Sequence, residues 1–314
     1  MKVHNGVSTK TQWLLILTLV LFSFGCSEKG THTANEGYQV TDSRNVTLRF
    51  KQKPQRIISL FPSTDEVLLS LVDHSRILAL SRWSRDSNFS NVSEEAKKIP
   101  LIAERSPEFI LKHKADLVIT RPDMGQDMSA IKAMDDIGIP VYVFKGPTSV
   151  AEVKQYILDM GALTGEKEKA QQIVAGMDKE LAELEKRLNS MSLPRKKALV
   201  WTTRGIVGGK GTLTHDILVK AHLDDVLDEY KMIPGAVANR ETAVKANPDI
   251  ILAVGLETSG SKMVEDILQD PALQKVKAVQ NKQVFLLPIR YTSCNSQYLI
   301  QGIKKLVSIV YNIK

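Results

Sequence analysis

The sequence predicts an α/β protein of two α/β lobes, each built on a parallel sheet, joined by one long rigid helix. Two observations carry this. From Pro54 onward, seven short runs rich in β-branched residues (56–61, 77–80, 116–120, 141–144, 198–202, 249–254 and 284–288) alternate with helical patterns. Their near-continuous apolar character marks strands buried on both faces, as in a parallel sheet covered by helices. Between the fourth and fifth runs, residues 166–193 place Ala170, Ile173, Val174, Met177, Leu181, Leu184, Leu188 and Met191 at steps of three and four, and Pro194 ends the pattern. At 1.5 Å per residue this helix is ~40 Å long, which suits a spacer between lobes better than an element inside one.

The elements follow in order. Residues 1–25 hold Lys2 and Lys10, no acidic residue, and an apolar run over 13–22 that ends shortly before Gly25 and Cys26. A basic start, a short apolar stretch and a small residue before the break describe a secretory signal, and the run is too short for a membrane anchor, which needs about 20 apolar residues. A small residue directly before cysteine resembles a bacterial lipoprotein cleavage site, which implies that Cys26 becomes the lipid-bearing first residue. Residues 26–53 read as a lipid-anchored tether and lead-in, polar at first and ending in a hairpin near 38–50. The N-terminal lobe then covers 54–164, the bridging helix 165–193 and the C-terminal lobe 194–314.

Composition narrows the function. The 314 residues carry 42 Lys+Arg against 35 Asp+Glu, a net charge of +7, with 43% hydrophobic and 25% charged residues. These are globular proportions, which argue against disorder, collagen and a polytopic membrane protein. The charge is scattered without interleaved aromatics, so nucleic acid is not the expected partner. Cys26 and Cys294 make no disulfide framework, and there is no Cys-x-x-Cys pair. The Gly208-Gly209-Lys210-Gly211-Thr212 stretch lacks the spacing of a phosphate loop and reads as a tight turn, and no Gly-x-Ser-x-Gly elbow is present. Of the core histidines, His74, His113, His215 and His222, the first two fall in helical or helix-end stretches away from strand ends, and a direct Zn or Mn receptor would need several histidines and carboxylates converging in the cleft, so no bare metal ion is expected there.

Ligands of open α/β sheets bind beyond the carboxyl ends of the strands. Four of the loops expected there offer an arginine, Arg85, Arg121, Arg204 and Arg290, whose planar fork suits a carboxylate or phosphate. Trp83, Trp201 and Tyr291 lie among them and can stack on a flat organic body. The predicted ligand is anionic. Two other readings stay open: an exported enzyme using Asp123 or Glu257 as acid or base, and a lipoprotein acting through its surface alone.

Four segments add a resemblance. Residues 56–66 contain Pro62-Ser63-Thr64-Asp65-Glu66, which resembles a Pro-Ser-x-Thr-Glu strand–turn–helix opening with Asp65 where threonine is usual. Residues 106–119, 240–251 and 277–284 follow in the matching order, with the long helix between the second and third. The chain so resembles the substrate-binding lipoproteins of ABC importers for iron chelates, heme and cobalamin. That resemblance implies a monomeric, non-enzymatic receptor without cofactor or direct metal ligand, exported and lipid-anchored at the outer face of the cytoplasmic membrane or in the periplasm. It would capture a metal chelate between its lobes, a ferric siderophore-type anion first, a corrinoid or heme as the alternative. It would then deliver the chelate to a permease and its ATPase. The resemblance also implies one exposed permease-docking glutamate per lobe, at Glu66 and Glu241. A continuous bridging helix resists a large hinge motion, so the lobes are expected to close only slightly on ligand.

Overall fold

A computed structural model describes residues 37–122, 128–230, 237–292 and 295–313. The signal segment 1–25, Cys26 and the first part of the tether lie outside the described residues, as do Asp123 and Cys294. Everything from Gly37 onward belongs to one compact unit. No helix among the described residues is long and apolar enough to cross a membrane.

The lead-in forms an antiparallel hairpin of β1 (Tyr38–Thr41) and β2 (Thr47–Phe50). The Asp42 carboxylate accepts the N–H groups of Arg44 and Val46, and Asn45 takes the left-handed conformation (φ 63°) that closes the turn. Tyr38 stacks on Phe50 at 5.2 Å and donates its hydroxyl to the Leu163 carbonyl, which fixes the hairpin to the first lobe.

The first lobe is a parallel sheet in the order β5-β4-β3-β6-β7, made of β3 (Ile57–Ser59), β4 (Ile77–Leu80), β5 (Leu101–Ile102), β6 (Leu117–Thr120) and β7 (Val141–Val143). Helices α1 (Pro62–Leu71), α2 (Ser93–Lys97), α3 (Pro107–Lys112), α4 (Met128–Asp136) and α5 (Val150–Thr164) accompany it. Ile57, Ile58 and Leu117 to Ile119 are fully buried, as continuous apolar runs require. The second lobe runs β10-β8-β11-β12, also parallel, with β8 (Lys196–Thr202), β10 (Leu223–Asp225), β11 (Ile250–Gly255) and β12 (Val284–Pro288), while β9 (Gly205–Val207) pairs antiparallel with β8. Its helices are α7 (Leu213–Lys220), α8 (Arg240–Ala246), α9 (Gly260–Gln269), α10 (Lys277–Gln280), α11 (Ile289–Thr292) and α12 (Leu299–Tyr311).

Between the lobes runs α6 (Lys167–Ser190), 24 residues long, or about 36 Å. A sharp corner sets its start. Gly165 ends α5 in the left-handed conformation (φ 76°), and Gly161 lies so close to Ala170 that a Cβ there would approach the Ala170 Cβ to 2.4 Å. Glu166 at this corner pairs with Arg76 at 2.6 Å and with Lys53 at 3.1 Å, tying the helix to the first lobe. The helix does not bridge alone. Its buried stripe, Ala170, Met177, Leu184 and Leu188, joins residues of α1, α5, α7 and α12 in one hydrophobic core that spans both lobes. Ion pairs Lys154–Asp178 and Lys304–Glu180, both 2.6 Å, add ties from α5 and α12, and the Asp216 carboxylate of α7 accepts the Val150 N–H of α5 at 2.6 Å.

Candidate ligand cleft

The carboxyl ends of β8, β11 and β12 open onto a cavity of about 620 Å³. Phe89, from the first lobe, covers it from the other side. The wall is mainly aliphatic, with Val200, Val254, Met263 and Leu287 among its members; Thr202, Thr214, Ser259 and Thr292 bring hydroxyls, and Arg204 brings the charge. Local chemistry places these groups. Thr202 accepts the Arg204 N–H and donates to the Gly205 carbonyl, which bends the chain between β8 and β9 and puts Arg204 at the turn. Thr212 caps α7 by accepting the His215 N–H, so that Thr214, Ile217 and Leu218 face the cavity.

Of the six predicted binding residues, Arg204 lines this cavity and is exposed. Trp83 stands near its rim: it is 43% exposed, lies against Phe89 at 4.9 Å and carries the Arg82 guanidinium over its ring at 4.4 Å. The other arginines have structural partners. Arg85 donates to the Ile99 carbonyl. Arg290 holds Glu257 through two bonds of 2.8 and 2.9 Å, donates to the Ser87 carbonyl of the other lobe and lies over the Tyr291 ring at 4.7 Å. Tyr291 itself lines a different depression, between α6 and α12. Arg121 lies over the Phe61 ring at 4.4 Å, and Arg105, which sequence reasoning overlooked, approaches the same ring at 5.4 Å. The structure therefore does not gather four arginines into one anion cage. It separates an Arg204 corner from an Arg105–Phe61–Arg121 group on the first lobe.

The Glu257 carboxylate is held below the usual carboxylate range by the bonds from Arg290, which keeps it ionised and poorly suited to acid–base exchange. Asp123 lies outside the described residues.

Glu66 departs from expectation. It sits in the second turn of α1, not the first, and is only 1% exposed. Its carboxylate accepts the backbone and side-chain N–H groups of Asn91 and the Ser296 hydroxyl, while Gln297 donates to its carbonyl. Burial raises its pKa, opposed by these bonds. Glu66 thus pins the second lobe's segment 295–298 to the first lobe and presents no carboxylate for docking. Glu241 is exposed in the first turn of α8, after its cap Asn239.

The lobes are internal counterparts, and this locates a residue the sequence reading missed. Ser106-Pro107-Glu108 opens α3 as Asn239-Arg240-Glu241 opens α8, each cap accepting the N–H three residues on. Each helix leads into a central strand, β6 or β11, through an aspartate that reaches a neighbouring strand's backbone: Asp116 accepts from Gln55 and Arg56, Asp249 from Lys197. Glu108, exposed, is therefore the equivalent of Glu241. The repeated cap-x-Glu pattern was the available signal.

Comparisons agree with this architecture. The pattern of the periplasmic binding protein family matches residues 57–291. An uncharacterized ABC transporter substrate-binding lipoprotein of Bacillus subtilis, YvrC, is 24% identical over 99% of this chain and 98% of its own. A vitamin B12-binding protein of Yersinia pestis is 22% identical over 66% of this chain and 72% of its own. A crystal structure of a periplasmic binding protein from Veillonella parvula superposes with a TM-score of 0.76 at 19% identity, covering 89% of this chain and 99% of that one. The two-lobed parallel α/β fold, the cleft at the strand ends and the match over most of the described length lead to one conclusion: the chain belongs to the periplasmic binding protein family, the substrate-binding proteins of ABC importers.

Proposed function

We propose that the protein captures an organic metal chelate between its lobes and presents it, unchanged, to a permease. The observation that carries this is the cavity at the ends of β8, β11 and β12: about 620 Å³, mainly aliphatic, with hydroxyls and the single guanidinium of Arg204, under Phe89 of the opposite lobe. Such a wall suits a large, largely apolar body with an acidic group at its edge. It favours a corrinoid or porphyrin chelate over a ferric polycarboxylate, which would need several arginines directed at one point. Anion recognition falls to Arg204, with Arg121 and the stacked Phe61 on the facing lobe and Trp83 at the rim. Arg85, Arg290 and Tyr291 act as supports.

The reading extends outside the cleft. Export through residues 1–25 and lipid attachment at Cys26 are supported by the basic–apolar–small–Cys order of the sequence. Permease docking is assigned to Glu108 and Glu241, an exposed carboxylate on each lobe related by the internal repeat. The test is native mass spectrometry and the visible spectrum of protein purified from its own host, followed by titration with heme, cyanocobalamin and a ferric siderophore. Tight binding of a macrocycle supports the proposal. Tight binding of the ferric polycarboxylate alone refutes the macrocycle preference, and conversion of the bound chelate refutes a receptor role.

A further inference from the structure

At the β10 edge of the second sheet, outside the residues that line the cavity, three side chains of metal-ligating type converge. His215 lies in the first turn of α7, Asp225 ends β10, and Asp228 follows in the 3-10 turn Val226–Tyr230. His215 Nδ1 is 2.8 Å from Asp228 Oδ1 and 3.6 Å from Asp225 Oδ2, and one ligand atom from each residue falls within a span of 4.8 Å. The 2.8 Å contact does not have hydrogen-bond geometry: both atoms are buried, and neither has a hydrogen-bond partner among the described residues. Polar atoms shut from solvent are nearly always bonded, so a close pair that is not bonded to itself points to a shared third partner.

We propose that His215, Asp225 and Asp228 bind a divalent first-row transition-metal ion, at a site separate from the chelate cavity. The spacing fits. With bonds of ~2.1 Å, ligand atoms 2.8 and 3.6 Å apart subtend about 85° and about 120° at a common ion. One imidazole and two carboxylates form a mixed N/O set, which suits Zn²⁺, Ni²⁺ or Co²⁺ better than the all-oxygen preference of Ca²⁺ or Mg²⁺.

The surrounding backbone is shaped to hold this group, and it uses the glycine-rich turn that the cleft leaves unexplained. Gly208 has φ 143°, and a Cβ there would come within 2.8 Å of Asp225 Oδ2. The Gly209 N–H donates to Asp225 Oδ2 at 2.7 Å and the Leu227 N–H to Oδ1 at 2.9 Å, orienting the carboxylate while leaving each oxygen a second lone pair. Thr212 closes the turn onto the Gly209 carbonyl and caps α7 beneath His215. Since Thr214 and Ile217 of the same helix line the cavity, an ion held here fixes one wall of the cargo pocket.

The competing arrangement is an ion pair between protonated His215 and the two carboxylates. Isothermal titration of the full chain, purified without an affinity tag and stripped with chelator, distinguishes them, with Zn²⁺ and Ni²⁺ as probes and no cargo present. The expected result is one saturable site per chain and a melting temperature raised by metal, with His215→Gln and Asp228→Asn each weakening binding at least tenfold. Asp225 is left intact because it anchors the turn, and the melting temperatures of the stripped variants check their folding. Absence of saturable binding by the parent, or parent-like binding by both variants, overturns the proposal and leaves the ion pair. Binding that tracks another histidine overturns it equally.

Discussion

Replacing Glu66 by alanine tests what a buried acid at a lobe junction does. The carboxylate accepts from the Asn91 backbone at 2.7 Å, from the Asn91 side chain at 2.9 Å and from the Ser296 hydroxyl. Removing it strands two or three buried donors, each costing ~1–3 kcal/mol, and the smaller side chain leaves a void besides. The raised pKa shows that burial already disfavours the charged form, so part of that loss is recovered when the acid disappears. A net destabilisation of about 2–5 kcal/mol follows, or roughly 5–15 °C in melting temperature for a unit of this size. Calorimetric melts of Glu66→Ala beside Glu241→Ala make the comparison direct, because Glu241 is an exposed first-turn residue worth only about 0.3–1 kcal/mol to its helix. Glu66→Gln, which keeps one acceptor oxygen, should fall between the two. If Glu66→Ala melts with the parent, the reading of Glu66 as an interlobe anchor is wrong.

Other outcomes follow from the same geometry. Asp65 is fully buried, and burial pushes its pKa up to about 7. The folded state thus favours the neutral acid: this contribution to stability is complete below pH ~4 and lost as pH rises through ~7, about 4 kcal/mol in all, so Asp65→Asn should narrow the difference in melting temperature between pH 5 and pH 8. Arg204→Ala should weaken cargo binding ~10- to 100-fold in calorimetry, with melting temperature near that of the parent. Gly161→Ala, which helix propensity alone would make stabilising by ~1 kcal/mol, should instead lower stability by ~1–3 kcal/mol through its clash with Ala170, and Ala170→Gly should rescue it in chemical denaturation. Glu108→Ala with Glu241→Ala should leave melting and cargo affinity near parental while abolishing cargo-stimulated ATP hydrolysis in the reconstituted importer; full activity would remove the docking assignment.

The buried strands were legible because residues such as Ile57-Ile58 and Ile250-Ile251-Leu252 can only face apolar neighbours on both sides. Three strands were not. β5 is two residues long, β10 reads Leu-Asp-Asp and carries its acids for other purposes, and β9 is a three-residue return from a turn. The cleft was legible in position but not in pairing. Arg290 and Glu257 are 33 residues apart, and Arg290 meets Ser87 across 203; no local pattern announces that a loop arginine is already engaged. Glu66 was misplaced for a related reason. A first-turn carboxylate is exposed by default, but α1 begins at Pro62, and the groups that enclose Glu66 arrive from 91 and from 296–297.

The aliphatic core common to both lobes has a consequence for how such a receptor reports that it is loaded. Pulling this core apart would bring side chains of α5, α6, α7 and α12 into water at ~25 cal/mol for each Å² exposed, so any swing of the lobes that parts it is opposed, with or without cargo. Filled and empty molecules are then expected to present much the same silhouette, which small-angle scattering with and without cargo checks. On that expectation a permease would tell them apart by the contents of the mouth itself, around Phe89, Trp83 and the turn at Arg204.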